Sequence, residues 1–215
     1  MNAADSPDRM PSKFIVFEGI EGVGKSTQLA LAATWIESFG RSVVTTREPG
    51  GTLLGESLRA LLLDRSANVC EDAELLLMFA ARAQHIATVI RPALVRGDIV
   101  LCDRFTDASY AYQGGGRGIA IERIAALEQI VHPDLKPDLV VILDAPPQVV
   151  MPRLTARSCR DRIENESFEF FHRVREVYLR RARSNPTRYA IIEAAASVEQ
   201  VRLRIADKLR EICSA

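Results

Sequence analysis

A glycine-rich segment near the beginning of the chain has residue types and a spacing that could bind phosphate. Its nine residues, the predicted phosphate-binding residues, are Gly19, Ile20, Glu21, Gly22, Val23, Gly24, Lys25, Ser26 and Thr27. They contain the full G-x-x-x-x-G-K-[ST] pattern, in which glycines turn backbone N–H groups towards an anion, Lys25 reaches the outer phosphates and Ser26 can hold Mg²⁺. A glycine-rich turn that merely begins a helix is the alternative, but the pattern lies between a predicted strand and a predicted helix. The segment therefore predicts a nucleoside triphosphate site.

An acidic and a basic residue follow a later apolar run, 99–102. Asp103 can bind the metal together with Ser26, whereas Arg104 is less expected of a motor or switch protein. A guanidinium at that point would face a second anion near the γ-phosphate. A surface Asp–Arg pair that closes a strand is the alternative, and a position at the carboxyl end of a strand, where α/β sites lie, disfavours it. The pair predicts a phosphate that accepts the transferred group.

A second arginine, Arg47, also follows an apolar run. The segment around it is Thr46-Arg47-Glu48-Pro49-Gly50-Gly51-Thr52, in which Pro-Gly-Gly forces a tight, irregular loop. An ordinary turn before a helix is the alternative. Arg47 becomes a candidate anion ligand because Arg104 occupies a similar position.

Met78, Phe79 and Arg82 could hold a nucleoside base, because residues three or four apart share one helical face. An apolar face of this kind is more often core than pocket, so spacing alone does not favour a ligand role for Phe79. A buried Arg82 without an anionic or carbonyl partner would be costly, which favours either solvent or a ligand.

A polar cluster follows Arg104. It consists of Ser109, Tyr110, Tyr112 and Gln113, and it precedes Gly114-Gly115-Gly116-Arg117-Gly118. Tyrosine and glutamine can pack on a sugar and bond a base edge, although ordinary packing of a helix on a loop is as common for each residue singly. We expect the three consecutive glycines to form an irregular, mobile backbone.

Four arginines lie in a charged segment between residues 152 and 162. They are Arg153, Arg157, Arg160 and Arg162. Such charge runs usually mark a solvated face. A phosphoryl-transfer enzyme also needs cations on the migrating group and needs water excluded, which an arginine-bearing lid at about 153–166 would supply.

Five short apolar runs predict the strands that position these residues, at 14–17, 42–46, 98–102, 139–143 and 189–192. They are nearly continuous, as parallel strands covered on both faces are. Helical patterns separate them, at 25–39, 53–63, 72–96, 121–131, 166–183 and 198–212. This alternation predicts an α/β, doubly wound fold with a five-stranded parallel sheet. We expect residues 1–12 to be a flexible tail and 13–215 to be one domain that includes the lid.

The composition limits the possible partners and compartment. The 215 residues carry 28 basic and 28 acidic side chains, so the chain lacks the positive excess that attracts nucleic acid or an anionic membrane. Four widely spaced cysteines, without zinc-ligand spacing, suit a reducing cytoplasm. The polar beginning of the chain does not resemble a signal peptide, and we expect no membrane-spanning run.

Taken together, five motifs in this order resemble the bacterial thymidylate kinase family. They are Phe17 to Thr27, Thr46 to Thr52, Phe79-Ala80-Ala81-Arg82-Ala83-Gln84-His85, Asp103-Arg104-Phe105 and Ala111-Tyr112-Gln113-Gly114-Gly115-Gly116-Arg117-Gly118. The resemblance spans nearly the whole chain. It implies the fold of the P-loop kinases, Mg²⁺-ATP as phosphoryl donor, dTMP as acceptor in a step towards dTTP, and a homodimer.

The same resemblance implies a set of dTMP-binding residues. They are Glu21, Arg47, Phe79, Arg82, Arg104, Ser109, Tyr112 and Gln113. Glu21 would take the deoxyribose 3′-hydroxyl, and Arg47 with Arg104 would hold the acceptor phosphate. Tyr112 would lie where a 2′-hydroxyl would otherwise sit, and Gln113 would help to orient the nucleotide. Arg82 would bond the base edge.

Two positions set this chain apart within the family. Family members often carry the stacking aromatic where Met78 stands, so either Met78 or Phe79 could cover the base. Gly22 matches the branch whose catalytic arginines lie in the lid rather than in the phosphate loop. The catalytic residues implied are Lys25, Asp103, Arg104, Arg157, Arg160 and Arg162.

Two other functions remain open on sequence grounds. One is a kinase for another nucleoside monophosphate or for a deoxynucleoside. The other is a P-loop switch protein whose slow ATP hydrolysis drives association with a partner, although such a protein would not obviously need Arg47, Arg82 and Arg104 around one cleft.

Overall fold

A computed structural model describes residues 11–155 and 161–213, with the side chains of 153–155 and of residue 213 outside that description. The five strands are β1 (Lys13–Glu18), β2 (Val43–Arg47), β3 (Ile99–Asp103), β4 (Leu139–Asp144) and β5 (Tyr189–Glu193). They form one parallel sheet in the order β2-β3-β1-β4-β5. The predicted α/β fold with a five-stranded parallel sheet is confirmed, and each strand lies within two residues of its predicted range.

The sheet is the centre of the core because its strands are apolar on both faces. In β1, Phe14, Ile15, Val16 and Phe17 are all buried, as expected for a central parallel strand between two helical layers. The register also fixes the site, since Asp103 lies opposite Phe17 on one side and Arg47 on the other. The carboxyl ends of the three strands β1, β2 and β3 therefore meet at one edge.

Helices connect the strands. They are α1 (Lys25–Glu37), α2 (Leu53–Leu63), α3 (Glu71–His85), α4 (Arg91–Val95), α5 (Thr106–Ser109), α6 (Ile121–Val131), α7 (Pro147–Thr155), α8 (Phe168–Ser184) and α9 (Val198–Cys213). The helix predicted at 72–96 contains a π-helical turn, π1 (Ile86–Ile90), between α3 and α4. Pro92, which has no N–H to donate, lies at the start of α4. Helix α7 was not predicted.

The three consecutive glycines do not form an irregular backbone, so that prediction was wrong. Tyr110–Gly116 is a second π-helical turn, π2, which continues α5. Helix α8 packs so closely on it that a Cβ on Gly116 would lie 2.4 Å from the Phe170 ring, and one on Gly115 would lie 2.6 Å from Val177. The glycines are needed for this close approach, not for mobility.

The continuous helical stretch Glu71–Val95 is 25 residues long and, by length and composition alone, apolar enough to cross a membrane, contrary to expectation. One face of this stretch packs in the core. Leu75, Phe79, Ile86 and Ile90 are buried, and so is the charged Arg82 in its middle. Core helices of globular proteins can be as long and as apolar as this one.

Candidate active site

The phosphate-binding loop joins β1 to α1 and has the backbone that its glycines allow. Gly19, Gly22 and Gly24 have φ values of 137°, 78° and 94°, which side-chain-bearing residues rarely adopt. A Cβ on Gly19 would lie 2.4 Å from the carbonyl oxygen of Leu143. The loop ends at Lys25, the first residue of the 13-residue helix α1, so the helix N-terminus faces the cleft and favours an anion there.

The Lys25 ammonium folds back on its own loop. Its Nζ donates to the carbonyl oxygens of Gly19 at 3.1 Å and of Ile20 at 2.9 Å. Burial lowers the pKa of Lys25 to about 8, and the positive charge of Arg104 acts in the same direction. A phosphate bound in the loop would favour the charged form again.

Ser26 and Asp103 meet although 77 positions separate them. The Ser26 hydroxyl donates to Asp103 Oδ2 at 2.9 Å. Hydroxyl and carboxylate oxygens are ligands that Mg²⁺ accepts, and this ion usually completes its shell with phosphates and water. Among the described residues, no group of three or more His, Cys, Asp or Glu could hold a metal by itself. The pair fits a metal that arrives with a nucleotide.

Arg104 joins the loop to the neighbouring cleft. Its backbone is left-handed, with φ of 72°, and its guanidinium lies 4.7 Å from the centre of the Tyr112 ring. Nη2 donates to Glu21 Oε1 at 2.7 Å and to the Tyr112 hydroxyl at 3.0 Å, and Nη1 donates to the Gly19 carbonyl at 2.9 Å. The Tyr112 hydroxyl in turn donates to Glu21 Oε2 at 2.5 Å. Glu21, Arg104 and Tyr112 are therefore one cluster.

A buried acid, Glu18, is connected to this cluster through Tyr178. Glu18 Oε2 accepts a hydrogen bond from the Tyr178 hydroxyl at 2.7 Å, and that hydroxyl accepts one from Arg104 Nη1 at 3.1 Å. Glu18 Oε1 accepts from the backbone N–H of Phe105 at 2.8 Å. Burial raises the pKa of Glu18 to about 7, although Arg104 opposes the shift.

Arg47 lies at the rim of the phosphate cleft, the cavity lined by the phosphate-binding loop, Asp103 and Arg104. Its Nη2 donates to both carboxylate oxygens of Glu56, at 3.1 and 3.0 Å, and 55 % of the side chain is exposed. Glu56 also accepts from the backbone N–H of Gly51. The exposed guanidinium can therefore reach an anion in the cleft.

A second pocket adjoins the phosphate cleft and is here called the acceptor pocket. The two cavities share Glu21, Glu48, Arg59, Arg104 and Asp161 in their walls. The acceptor pocket extends between the C-terminal part of α2, the face of α3 and π2, where Met78, Tyr112 and Gln113 line it. A molecule in this pocket lies beside the phosphate loop.

Of the two neighbours Met78 and Phe79, it is Met78 that lines the acceptor pocket. Phe79 is buried beneath it, and the Arg82 guanidinium lies 4.6 Å from the centre of its ring. Spacing on a helix could not separate these neighbours, because both fall within one turn of Arg82.

Arg82 is fully buried and has protein partners for all three guanidinium nitrogens. Nε donates to Glu48 at 2.7 Å, Nη1 to the Ser109 hydroxyl at 3.1 Å and Nη2 to the Phe105 carbonyl at 3.0 Å. His85 also contacts Glu48, at 2.9 Å. The structure therefore brings Arg82 and Ser109 together behind the pocket wall.

The predicted lid is described only in part. Arg157 and Arg160 lie outside the described residues, and so does the side chain of Arg153. Arg162 Nε donates to the Leu62 carbonyl at 2.9 Å, and its Nη2 donates to Glu74 at 2.6 Å. Arg162 thus lines the acceptor pocket, and it is not among the described residues that line the phosphate cleft.

Sequence reasoning missed several residues of this site, among them Arg59, Glu74, Glu18 and Tyr178. Arg59 donates to the Pro49 carbonyl at 3.0 Å and lines both cavities. Its position in the helix directly after the Arg47 loop was the feature of the sequence that could have identified it. Glu18 was signalled by its acidic character at the end of an apolar strand, whereas Glu74 and Tyr178 gave no local signal.

Comparisons with known proteins agree with this geometry. The family model described as thymidylate kinase matches residues 17–205. Thymidylate kinase of Pseudomonas putida is 55 % identical over 194 residues, covering 90 % of this chain and 92 % of the relative. Thymidylate kinase of Thiobacillus denitrificans is 52 % identical over 203 residues, covering 94 % and 98 %.

A solved structure gives the same result. The crystal structure of thymidylate kinase from Ehrlichia chaffeensis aligns with a TM-score of 0.77 at 37 % sequence identity, covering 93 % of this chain and 99 % of that one. The family match over residues 17–205 includes both the phosphate loop and the acceptor pocket. The chain belongs to the thymidylate kinase family.

Proposed function

We propose that this protein transfers the γ-phosphoryl group of ATP to the phosphate of dTMP, giving ADP and dTDP. The observation that carries the proposal is the shared wall of the two cavities, where Arg104 bonds the loop residue Glu21 and the pocket residue Tyr112. A protein that only hydrolysed ATP would gain nothing evident from a second pocket joined to its phosphate loop in this way. Family membership favours dTMP as the acceptor.

The mechanism is direct in-line transfer, in which the protein positions the reactants and stabilises charge. Lys25 leaves its loop carbonyls and binds the outer phosphates of ATP. Arg104 and Arg47 hold the acceptor phosphate against the phosphate loop. Mg²⁺, held by Ser26 and Asp103, would neutralise charge on the transferred group. No covalent enzyme intermediate is needed.

The nucleoside of dTMP lies in the acceptor pocket. Glu21 takes the 3′-hydroxyl, and Tyr112 covers the sugar at the 2′ position. Met78 covers the base, since it is the member of the Met78–Phe79 pair on the wall. Gln113 faces the base edge. Arg82 and Ser109 support the pocket wall from behind.

Arginine side chains of the lid neutralise the negative charge on the transferred phosphoryl group. Arg157 and Arg160 are our candidates for this contact. Arg162 instead closes the acceptor pocket, since its guanidinium is bound to Glu74 and to the end of α2. We further propose that the protein acts in the cytoplasm, as a homodimer and without nucleic acid or membrane.

An acceptor panel tests the proposal. ATP-dependent turnover with Mg²⁺ is measured with dTMP, dUMP, UMP, dGMP and thymidine. We expect dTMP to give the highest kcat/KM, and we expect Lys25→Ala or Arg104→Ala to lower dTMP turnover by at least about a thousandfold. Preference for another acceptor would identify a different kinase. Equal ATP hydrolysis with and without any acceptor would instead identify a switch ATPase.

A further inference from the structure

Glu74 lies in the wall of the acceptor pocket, in the first turn of α3, and is 2 % exposed. Its Oε1 accepts from Gln113 Nε2 at 2.8 Å, and its Oε2 accepts from Arg162 Nη2 at 2.6 Å. Arg117 Nη2 lies 3.4 Å from the same Oε2. Burial raises the pKa of Glu74, but the hydrogen bonds from Gln113 and Arg162, together with the charges of Arg117 and Arg162, outweigh burial and hold the pKa below its usual value. Glu74 is therefore a carboxylate, which can accept hydrogen bonds but not donate them.

This chemistry fixes the direction of the Gln113 amide. A glutamine amide has a donating –NH₂ end and an accepting oxygen end. Because Glu74 accepts only, the –NH₂ end must face Glu74. Gln113 Oε1 is then buried without a hydrogen-bond partner among the described residues. An unpaired buried carbonyl costs about 1–3 kcal/mol, so a donor from a ligand would be stabilising here.

We propose that Glu74 is a positioning residue for base selection, which turns Gln113 so that the pocket offers an acceptor to the N3 position of the pyrimidine. This inference rests on the proposed function. Thymine and uracil carry an N–H donor at N3, whereas cytosine carries an acceptor there and would leave two acceptors facing each other. Glu74 thereby selects against cytosine without touching the base, since a mismatched buried polar pair is strongly disfavoured.

The Glu74→Gln variant tests this role with almost no change in shape. The introduced amide can donate or accept, so the Gln113 amide is free to turn its –NH₂ end towards the base. The measurement is kcat/KM for dTMP, dUMP and dCMP. We expect the ratio of dTMP to dCMP to fall at least about tenfold, as for about 1.4 kcal/mol of lost discrimination. The ratio of dTMP to dUMP should stay within about twofold, because both bases carry the N3 donor.

Glu166→Gln is the matched control. Glu166 bonds Arg117 at 2.5 Å in the same charged cluster, and no hydrogen bond joins it to Gln113 among the described residues. The control removes one negative charge nearby while leaving the contact between Glu74 and Gln113 intact, so its dTMP to dCMP ratio should equal that of the wild type. Glu74→Asp keeps the charge but shortens the reach, and we expect its ratio to fall about threefold.

Three results would overturn the inference: a wild-type ratio in a folded Glu74→Gln variant, a wild-type ratio in a folded Glu74→Asp variant, or an equal fall in Glu166→Gln. Glu74→Asp decides the question if Glu74→Gln does not fold. Failure of the wild-type protein to phosphorylate dTMP would instead reject the proposed function itself. The two failures are distinguishable because the second is seen before any variant is compared.

Discussion

At the scale of residues, the site is built from charged groups that already have protein partners. Lys25 binds two loop carbonyls, and Arg104 binds Glu21 and two phenols. A nucleotide therefore exchanges partners with these cations rather than meeting free charges. Because of this exchange, the affinity for a ligand depends on the protonation state of the group that binds it.

Lys25 predicts a pH dependence of ATP binding. Its pKa of about 8 means that the free protein loses this charge as pH rises through 8, whereas bound phosphate favours the ammonium. We expect the Kd for Mg²⁺-ATP, measured by calorimetry between pH 7.5 and 9.5, to rise with pH above 8, approaching about tenfold per unit. Lys25→Arg stays charged throughout, so its Kd should be nearly constant. An equal slope in both proteins would exclude Lys25 as the titrating group.

Local sequence predicted some of these residue contacts and not others. The contact between Ser26 and Asp103 was predictable because each belongs to a motif at a strand end. The burial of Arg82 against Glu48 was not, because it depends on the loop after β2 turning Glu48 inward. The outward position of Met78 likewise depends on how α3 is rotated against π2.

At the scale of elements, the close contact between π2 and α8 positions the acceptor pocket. Tyr112 and Gln113 belong to π2, and Tyr178, which bonds Arg104, belongs to α8. π-helical turns are uncommon and often occur at functional sites. Glycine at 115 and 116 lets the two elements approach, so these residues affect the pocket without lining it.

Gly116→Ala should separate the two elements. Its added Cβ would lie 2.4 Å from the Phe170 ring, a clash that requires backbone or ring movement. We expect the free energy of unfolding, measured in urea, to fall by about 1–3 kcal/mol, with a raised KM for dTMP.

Gly114→Ala is the control for this substitution. Among the described residues, its Cβ would meet the flexible Ile124 Cδ1, at 3.2 Å, and a carbonyl at 3.9 Å. We expect a change in unfolding free energy within about 0.5 kcal/mol. Equal destabilisation by the two alanines would show that close packing on α8 is not the reason for the glycines.

The order and type of most elements could be predicted, because apolar strands and amphipathic helices alternate along the chain. The π-helical turn at Tyr110–Gly116 could not. Consecutive glycines usually disfavour a helix, and here that preference is overridden by packing against a helix some 55 positions later in the chain.

At the scale of the whole molecule, the central strand of the sheet ends in a buried acidic residue. Glu18 ends the central strand β1 and is fully buried. Its pKa is raised from 4.5 to about 7 by burial, so the folded state prefers its protonated form. Its contribution to stability is present below about pH 4.5 and is lost as pH rises through 7.

Glu18→Gln tests this dependence because the amide does not titrate. Between pH 5 and 8 the unfolding free energy of the wild type should fall relative to that of the variant, by on the order of 3 kcal/mol. Urea titrations at four pH values measure the difference. Parallel pH profiles for the two proteins would show that Glu18 does not titrate in this range.

Exposed apolar residues on neighbouring helices support the proposed homodimer. α2 packs on α3 and α3 on α6, and these helices expose Leu61, Leu76 and Ile130. We expect light scattering after gel filtration to give twice the chain mass, and Leu76→Glu to shift the population towards monomer. A monomeric wild type at micromolar concentration would reject the dimer.

The contact of Lys25 with its own loop has a thermodynamic consequence. The two hydrogen bonds to Gly19 and Ile20 brace the loop before any nucleotide arrives. Lys25 gives up both hydrogen bonds when it binds the phosphates of ATP, so their loss offsets part of the ammonium–phosphate interaction. Removing the lysine side chain loosens the empty loop as well as weakening the complex. Because both states are destabilised, the affinity lost in Lys25→Ala is smaller than the full strength of the ammonium–phosphate interaction.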